Sequence, residues 1–279
     1  MARGLVSRLS IASCVWITAL APAFAEDVRF TDQRPSPLII DGKPVDTVCL
    51  THLSNEGGSW RDPIDLSHCA HDDIVIKSQS ADPRMTGFTY DYRGSPGEMR
   101  QPYFLYRFLG SYRGHSLLFI EHGGGGTGEF TQIESVDIRD HILTPVDVLA
   151  GGDRCNGGVW HVVLAGDSLT YRQHATPYDV IALADKAPKA KDSPKPYSDL
   201  EDSASSCIAN INYQDAQWTS VSLSDPERKD QAGWTDRFSH QACFNGLYRT
   251  FVARHETELD RNAVNHFAKA FSDLCLHAH

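Results

Sequence analysis

Residues 114–183 read GHSLLFIEHGGGGTGEFTQIESVDIRDHILTPVDVLAGGDRCNGGVWHVVLAGDSLTYRQHATPYDVIAL, and they hold most of the short apolar runs of the chain. Short runs of apolar and β-branched residues alternate with glycine-rich segments, which is typical of antiparallel strands joined by turns. Gly166-Asp167 separates the runs 159–165 and 168–174 and predicts a two-residue hairpin turn. Thr176-Pro177 then predicts a helix start, because threonine is a good N-cap and proline fits the first helical position. We interpret the stretch as a β-meander closed by a short helix.

The chain after residue 224 has a helical rather than a strand pattern. Apolar residues recur at helical spacing from Phe238 to Val252, and again from Val264 to Cys275. Residues 257–260 resemble a capping box that opens the second helix. We therefore predict an α+β fold: an antiparallel β-rich body over residues 26–223, then a helical hairpin over 224–279 packed on it. The lysine- and proline-rich residues 186–206 are predicted to be a mobile loop of the body.

The first 25 residues have the three parts of a signal peptide. Arg3 and Arg8 precede an apolar run, and Ala23-Phe24-Ala25 matches an A-x-A cleavage site. The apolar run is too short to span a bilayer, and no second long apolar segment follows. We predict an exported protein, periplasmic or secreted, without a membrane span in the mature chain. Lipoprotein processing at Cys14 is an alternative, since residues 11–14 resemble a lipobox.

The composition is acidic, with 36 Asp and Glu against 26 Lys and Arg and a net charge of −10. Loss of the two signal-peptide arginines takes the mature chain to about −12. Because an acidic surface repels phosphate backbones, we expect no nucleic-acid partner.

Six cysteines follow the predicted cleavage site, and an even number in an exported chain indicates a set of disulfides. Sequence order suggests that neighbours pair, as Cys49–Cys69, Cys155–Cys207 and Cys243–Cys275. The alternative is that one or more of the six are free and buried. The last pair also has a geometric argument, because both cysteines lie on the apolar faces of the two predicted helices.

Gly166-Asp167-Ser168-Leu169 resembles the signature of the GDSL esterases, and the resemblance implies Ser168 as a nucleophile. In that family the signature lies near the mature N-terminus, and a D-x-x-H segment supplies the other catalytic residues. Here the tetrapeptide lies mid-chain, and the pairs Asp236/His240 and Asp273/His277 have one residue too many between acid and histidine. We predict a hairpin turn and keep a catalytic Ser168 as the alternative.

Two histidine-containing segments also resemble functional motifs. His122 and the glycines after it resemble the HGGG oxyanion loop of lipases and esterases, but the chain lacks the G-x-S-x-G pentapeptide that accompanies that loop. A glycine-rich hairpin loop is the preferred interpretation, although such a loop also lets a ligand approach the backbone closely. His68, His71 and Asp72-Asp73 are of types that bind zinc, yet they match no zinc motif. We predict no metal and no cofactor.

Asp153-Arg154-Cys155-Asn156 is the polar segment with the strongest claim to a function. Glycine pairs flank it on both sides, and a disulfide at Cys155 would anchor it. The structural interpretation is an Asp–Arg pair that holds a turn, and the functional one is a rigid polar recognition loop. We take Asp153, Arg154 and Asn156, together with His122, as candidate binding residues.

The functional prediction rests mainly on the lack of support for any catalytic motif. No nucleophile, metal cluster or phosphate-binding loop is supported by its sequence context. We therefore predict a non-enzymatic exported protein that binds another protein or a small ligand. The alternative is an envelope serine hydrolase that uses Ser168.

Overall fold

The structure is a computed structural model that describes residues 36–54, 62–69, 84–89, 102–185, 199–223 and 238–276. Its larger sheet has six antiparallel strands: β3 (Ile64–Asp65), β4 (Thr86–Thr89), β5 (Tyr103–Tyr112), β6 (His115–Gly123), β7 (Phe130–Arg139) and β8 (Ile142–Asp153). Their spatial order is β3-β8-β7-β6-β5-β4, so β5 to β8 form a meander of neighbouring hairpins. Two short strands, β1 (Ile39–Ile40) and β2 (Lys43–Pro44), and the 3-10 helix Thr47–Ser54 precede it.

The second sheet has five antiparallel strands: β9 (Val159–Ala165), β10 (Ser168–Ala175), β11 (Ala209–Gln214), β12 (Gln217–Leu223) and β13 (Glu258–Leu259). Their spatial order is β13-β12-β11-β10-β9. The predicted two-residue turn between β9 and β10 is confirmed, since Ala165 pairs with Ser168 and Gly166 has a φ of +58°. Positive φ is a conformation that glycine adopts at no steric cost.

In the described part of the chain three helices accompany the second sheet: α1 (Pro177–Ala182), α2 (Ser239–Ala253) and α3 (Arg261–Phe271), the last followed by a π-helical turn, Ser272–Leu276. The predicted start of α1 is confirmed, because Thr176 and Asp179 form a reciprocal capping box with proline at the first position. The predicted start of the last helix at 257–260 is wrong. Its N-cap is Asp260, whose Oδ1 accepts a hydrogen bond from Ala263 N at 2.8 Å.

The larger sheet is covered on both faces, which explains why residues 117–120 of β6 are all buried. One face packs against the N-terminal segment, where Leu50 and Leu53 of the 3-10 helix belong to the same core as Leu118 and Ile120. The other face packs against β9 and β10 of the second sheet. That core contains Leu105, Leu117, Phe119 and Ile133 from the first sheet with Val162, Leu169 and Tyr171 from the second.

The second sheet packs one face against the helices. Ile211 and Val221 share a core with Phe244, Tyr248 and Phe267, and all five are at most 4% exposed. Tyr248 OH donates a hydrogen bond to the Ile208 carbonyl at 2.7 Å, so the phenol of this buried tyrosine is satisfied. Aromatic pairs such as Phe251–Phe267, edge to face with ring centroids 4.9 Å apart, hold α2 and α3 together.

The three disulfides join the neighbours that sequence order suggested, with Cα–Cα distances of 6.1 Å for Cys49–Cys69, 4.5 Å for Cys155–Cys207 and 5.7 Å for Cys243–Cys275. The predicted α+β class, with a β-rich body and a disulfide-linked C-terminal helical region, is confirmed. No helix in the described part of the chain is long and apolar enough to cross a membrane.

Two predicted segments lie wholly or partly outside the described residues. The signal peptide is one of them. The other is the predicted mobile loop, of which residues 199–206 are described and 186–198 are not. Within the described part, Leu200 is 4% exposed, and Glu201 N donates a hydrogen bond to Gln241 Oε1 of α2 at 2.8 Å.

Candidate functional site

Residues 153–158 form a tight loop between β8 and β9. Asp153 N donates to Asn156 O at 3.0 Å, Asn156 N donates to Asp153 O at 2.8 Å, and Gly158 N donates to Arg154 O at 2.9 Å. The chain turns through Arg154 with φ +45° and Gly157 with φ +78°. Backbone hydrogen bonds therefore define this loop without help from a ligand.

The flanking glycines are required by close backbone approach. A Cβ atom on Gly152 would lie 2.1 Å from the carbonyl oxygen of Asn156, and one on Gly158 would lie 2.2 Å from that of Arg154. Both obstacles are backbone atoms, which cannot move aside as a flexible side chain would. The special backbone path predicted from the glycine pairs is thus a real constraint on the sequence.

Asp153 ties the loop to its surroundings. Its Oδ1 accepts hydrogen bonds from Arg154 Nε at 3.0 Å and from Glu129 N at 2.9 Å. Arg154 N in turn donates to Glu129 O at 3.1 Å. The Asp–Arg pair holds the turn, as the structural interpretation supposed, and it also joins the turn to the β6–β7 connection.

A second loop is attached through Cys155. Besides the disulfide to Cys207, Cys155 N donates to Ala204 O at 3.3 Å. Asn156, the next residue, is exposed at the surface of the assembled loops. The polar segment is therefore fixed by backbone contacts, an ion pair and a disulfide, while the Asn156 side chain remains accessible.

His122 lies at the end of the larger sheet where loop 153–158 lies, but it is not part of that loop. It pairs across the strands with Phe130, which pairs with Asp153, so Phe130 separates His122 from the loop. The imidazole stacks on Phe130 with centroids 5.1 Å apart and planes 14° apart. Burial lowers the pKa of His122, so the neutral imidazole is favoured. The glycines after it connect β6 to β7, as expected for a hairpin loop.

The face of the second sheet that points away from the helices carries no sequence motif and was not predicted as a site. Residues directly opposite in a sheet share a face, so the strand registers define this set. We call it the outer face. It consists of Trp160, Val163 and Ala165 on β9; Ser168, Thr170, Arg172 and His174 on β10; Asn210, Asn212 and Gln214 on β11; Gln217, Ser220 and Ser222 on β12; and Glu258 on β13.

Trp160 forms an aromatic corner of the outer face. Its ring stacks on His174 with centroids 5.2 Å apart and planes 9° apart, and the Arg172 guanidinium carbon lies 5.4 Å from the indole centroid. Burial lowers the pKa of His174, with the side-chain hydrogen bond between His174 and Asn210 opposing the shift. At neutral pH the stacked imidazole is therefore uncharged, and Arg172 is the cation of this corner.

The aromatic corner is continuous with the stapled loop. His174 N donates to Gly158 O at 2.8 Å, and Gln173 Nε2 donates to Gly157 O at 2.9 Å. The loop therefore rests on β10 beside the stacked rings, and the predicted binding residues of the loop adjoin the outer face.

The middle of the outer face carries a side-chain network. Asn212 Nδ2 donates to Ser220 Oγ at 2.9 Å and to Ser222 Oγ at 3.1 Å. Ser222 Oγ donates to Glu258 Oε2 at 2.8 Å. The consecutive strands β11 and β12 are thereby linked to the distant strand β13 through their outward side chains.

Ser168 is also on the outer face, at the start of β10. Its Oγ accepts a hydrogen bond from Gln214 Nε2 at 3.2 Å, and an amide cannot act as a general base. His240, one of the predicted partner histidines, is hydrogen-bonded to Asp199 at 2.8 Å at the start of α2. The segment beginning at Asp199 reaches α1 through Tyr178 N and Glu201 O, beyond the far end of β10. The far end of β10 lies seven residues of strand, about 23 Å, from Ser168. The fold therefore does not bring His240 close to Ser168.

The described residues contain no group of three or more His, Cys, Asp and Glu side chains that could hold a metal ion. Of the four possible zinc ligands named from the sequence, only His68 lies within the described part of the chain. Comparisons with protein-family models, with curated proteins and with solved structures give no match. The candidate site therefore has to be interpreted from its own chemistry: a stapled polar loop that continues into an outer face of amides, hydroxyls and one aromatic corner.

Proposed function

We propose that the protein is an exported, non-enzymatic binding protein, periplasmic or secreted, which holds its ligand on loop 153–158 and the adjoining outer face. Export is supported by the signal-peptide pattern of the first 25 residues and by three disulfides, which persist in oxidising compartments. The observation that carries the binding proposal is the rigid loop that presents Asn156 beside the Trp160 corner.

Rigidity matters because binding costs free energy for every group that must be ordered. The loop is already fixed by the Cys155–Cys207 disulfide, by the Asp153–Arg154 pair and by two glycines without room for a side chain. A preorganised surface of this kind avoids much of the ordering cost of association. Such an arrangement exceeds what is needed merely to connect two strands, since a two-residue turn joins β9 to β10.

The alternative, an envelope serine hydrolase acting through Ser168, has less support. A nucleophilic serine needs a base within hydrogen-bond reach, and the hydroxyl of Ser168 is engaged by the amide of Gln214. A fluorophosphonate probe separates the two functions. We expect no covalent labelling, whereas labelling that disappears in Ser168→Ala would establish the hydrolase.

The binding proposal is tested by the thermal unfolding midpoint of the mature, disulfide-intact protein. The ligand panel contains neutral oligosaccharides, amino acids, short peptides, nucleotides and inorganic anions. We expect one class to raise the midpoint, because a ligand that binds only the folded state stabilises it. Asn156→Ala should reduce that shift, and the exposed Asn262→Ala on α3 is the matched control. A shift that both variants reduce equally, or no shift with any class, would contradict the proposal.

A further inference from the structure

The outer face is nearly free of charge, although the chain is not. Eight of its fourteen side chains are amides or hydroxyls, and its charged pair, Arg172 and Glu258, sums to zero. The whole chain has 22% charged residues and a net charge of −10. Exposed sheet surfaces ordinarily carry mixed charges that keep them soluble and unpaired. A neutral polar face in an acidic protein lacks the field that would attract or orient an ionic ligand.

Two neighbouring groups at the centre of this face leave one acceptor and one donor for a ligand. Asn212 uses its amide protons on Ser220 and Ser222, which leaves its carbonyl oxygen as an acceptor. Ser220 accepts from Asn212, so its own proton remains as a donor. A ligand hydroxyl both donates and accepts, and adjacent hydroxyls can therefore bond to both groups at once. The network fixes these side chains before a ligand arrives, which lowers the cost of binding.

The aromatic corner supplies the apolar part of the surface. Trp160 offers indole carbon beside Arg172 and His174. Its Nε1 is buried, so a ligand on this face contacts the ring carbons rather than the N–H. A sugar ring suits this corner, because its C–H groups pack on an aromatic ring.

We infer that the outer face binds a neutral oligosaccharide, with Asn212, Ser220 and Trp160 as the principal contacts. The inference rests on the proposed binding function and names the ligand class. A protein partner is disfavoured because the centre of a protein interface is usually apolar, whereas the centre of this face is amide and hydroxyl. An anionic ligand is disfavoured because Arg172 is the face's only cation at neutral pH, where burial keeps His174 uncharged.

The test uses the mature, disulfide-intact full chain and isothermal titration with named probes. Cellotetraose, chitotetraose, maltotetraose and xylotetraose represent neutral sugars, while oligogalacturonate and a heparin tetrasaccharide represent acidic ones. We expect at least one neutral tetrasaccharide to bind. Asn212→Ala should weaken that binding about tenfold, because one or two hydrogen bonds are lost. Asn262→Ala, which removes an exposed amide on α3 that is not part of the outer face, should leave the affinity unchanged. Trp160→Phe should also weaken it, since phenylalanine offers a smaller aromatic surface than the indole.

The results can separate failure of the sugar inference from failure of the proposed binding function. Binding of a neutral sugar that Asn212→Ala and Trp160→Phe both leave intact overturns the inference. So does binding of the acidic sugars alone, or of none of the six probes. In either of those cases a midpoint shift with another ligand class, reduced by Asn156→Ala, would leave the binding function standing without the sugar. Circular dichroism and an unchanged unfolding midpoint of each variant guard against loss of folding.

Discussion

Glu134 is a carboxylic acid in the interior of the larger sheet, and it makes the stability of this protein depend on pH. Its side chain lies on β7, and the residue is 1% exposed. Gln132 Nε2 donates to Glu134 Oε1 at 2.6 Å and to the Leu53 carbonyl at 2.9 Å, which links β7 to the 3-10 helix. Burial raises the pKa of Glu134 to about 8 from an ordinary value of 4.5, with the Gln132 hydrogen bond opposing the shift. At neutral pH the folded chain therefore holds this proton.

The magnitude follows from the difference between the two states. Between pH 4.5 and 8 the unfolded chain has released the proton and the folded chain has not, so unfolding is progressively favoured as the pH rises. One pH unit corresponds to about 1.4 kcal/mol, which gives a loss approaching 5 kcal/mol over the whole interval. The contribution is complete below pH 4.5 and absent above pH 8. Glu134→Gln preserves the size of the side chain and cannot ionise.

The assay is urea-induced unfolding of the disulfide-intact protein, followed by tryptophan fluorescence from pH 4 to pH 9. We expect the free energy of unfolding of Glu134→Gln, relative to the unsubstituted protein, to rise by about 1.4 kcal/mol per pH unit up to pH 8 and then to level off. Glu256→Gln removes one exposed carboxyl group and is the control for a change of net charge. Two stability curves that run parallel across the whole range would refute the reasoning.

Three further outcomes are expected. Gly158→Ala should lower the free energy of unfolding by about 1–3 kcal/mol, because the new Cβ meets a backbone carbonyl, whereas Gly124→Ala, with nothing within 4 Å, should have a much smaller effect in the same urea assay. Cys275→Ser should cost between about 3 and 4 kcal/mol, because it opens a closed loop whose ends are 32 residues apart. It should also make Cys243 accessible to alkylation; a protected thiol would contradict that pairing. Finally, mass spectrometry should show cleavage after Ala25, and a mature chain that begins at a lipidated cysteine would exclude this.

Local sequence rules predicted those elements that are specified by residues close together in the sequence. The β9–β10 hairpin needs positive φ at one residue, and Gly166 supplies it. The start of α1 is specified by Thr176 and Asp179 three residues apart. The capping pattern at 257–260 predicts a start of α3 that is too early, because a local pattern contains no information on strand pairing. Leu259 is 1% exposed and pairs with Val221, so the chain remains a strand until Asp260 can cap the helix.

The candidate site likewise has a part that local sequence predicts and a part that depends on strand pairing. Glycines and a cysteine mark loop 153–158 within one short segment, and the sequence was enough to select it. The network of Asn212, Ser220 and Ser222 arises from strand pairing between β11 and β12, and the amides of β11 by themselves look like the ordinary exposed side of a strand. A period-2 pattern identifies which residues point outward, but not which outward residues of other strands become their neighbours.

Trp160 shows why even the outward residues could not all be identified from the sequence. Strict alternation back from Leu164, which faces the core, would turn Val162 inward, His161 outward and Trp160 inward. The strand instead contains an extra residue, since Thr170 pairs with Val163 but Arg172 pairs with Trp160, and His161 has a φ of +51°. This β-bulge reverses the alternation and places the indole on the outer face beside Arg172. Bulges are often found where a side chain must be redirected, and here the redirected side chain is the aromatic residue on which the proposed binding surface depends.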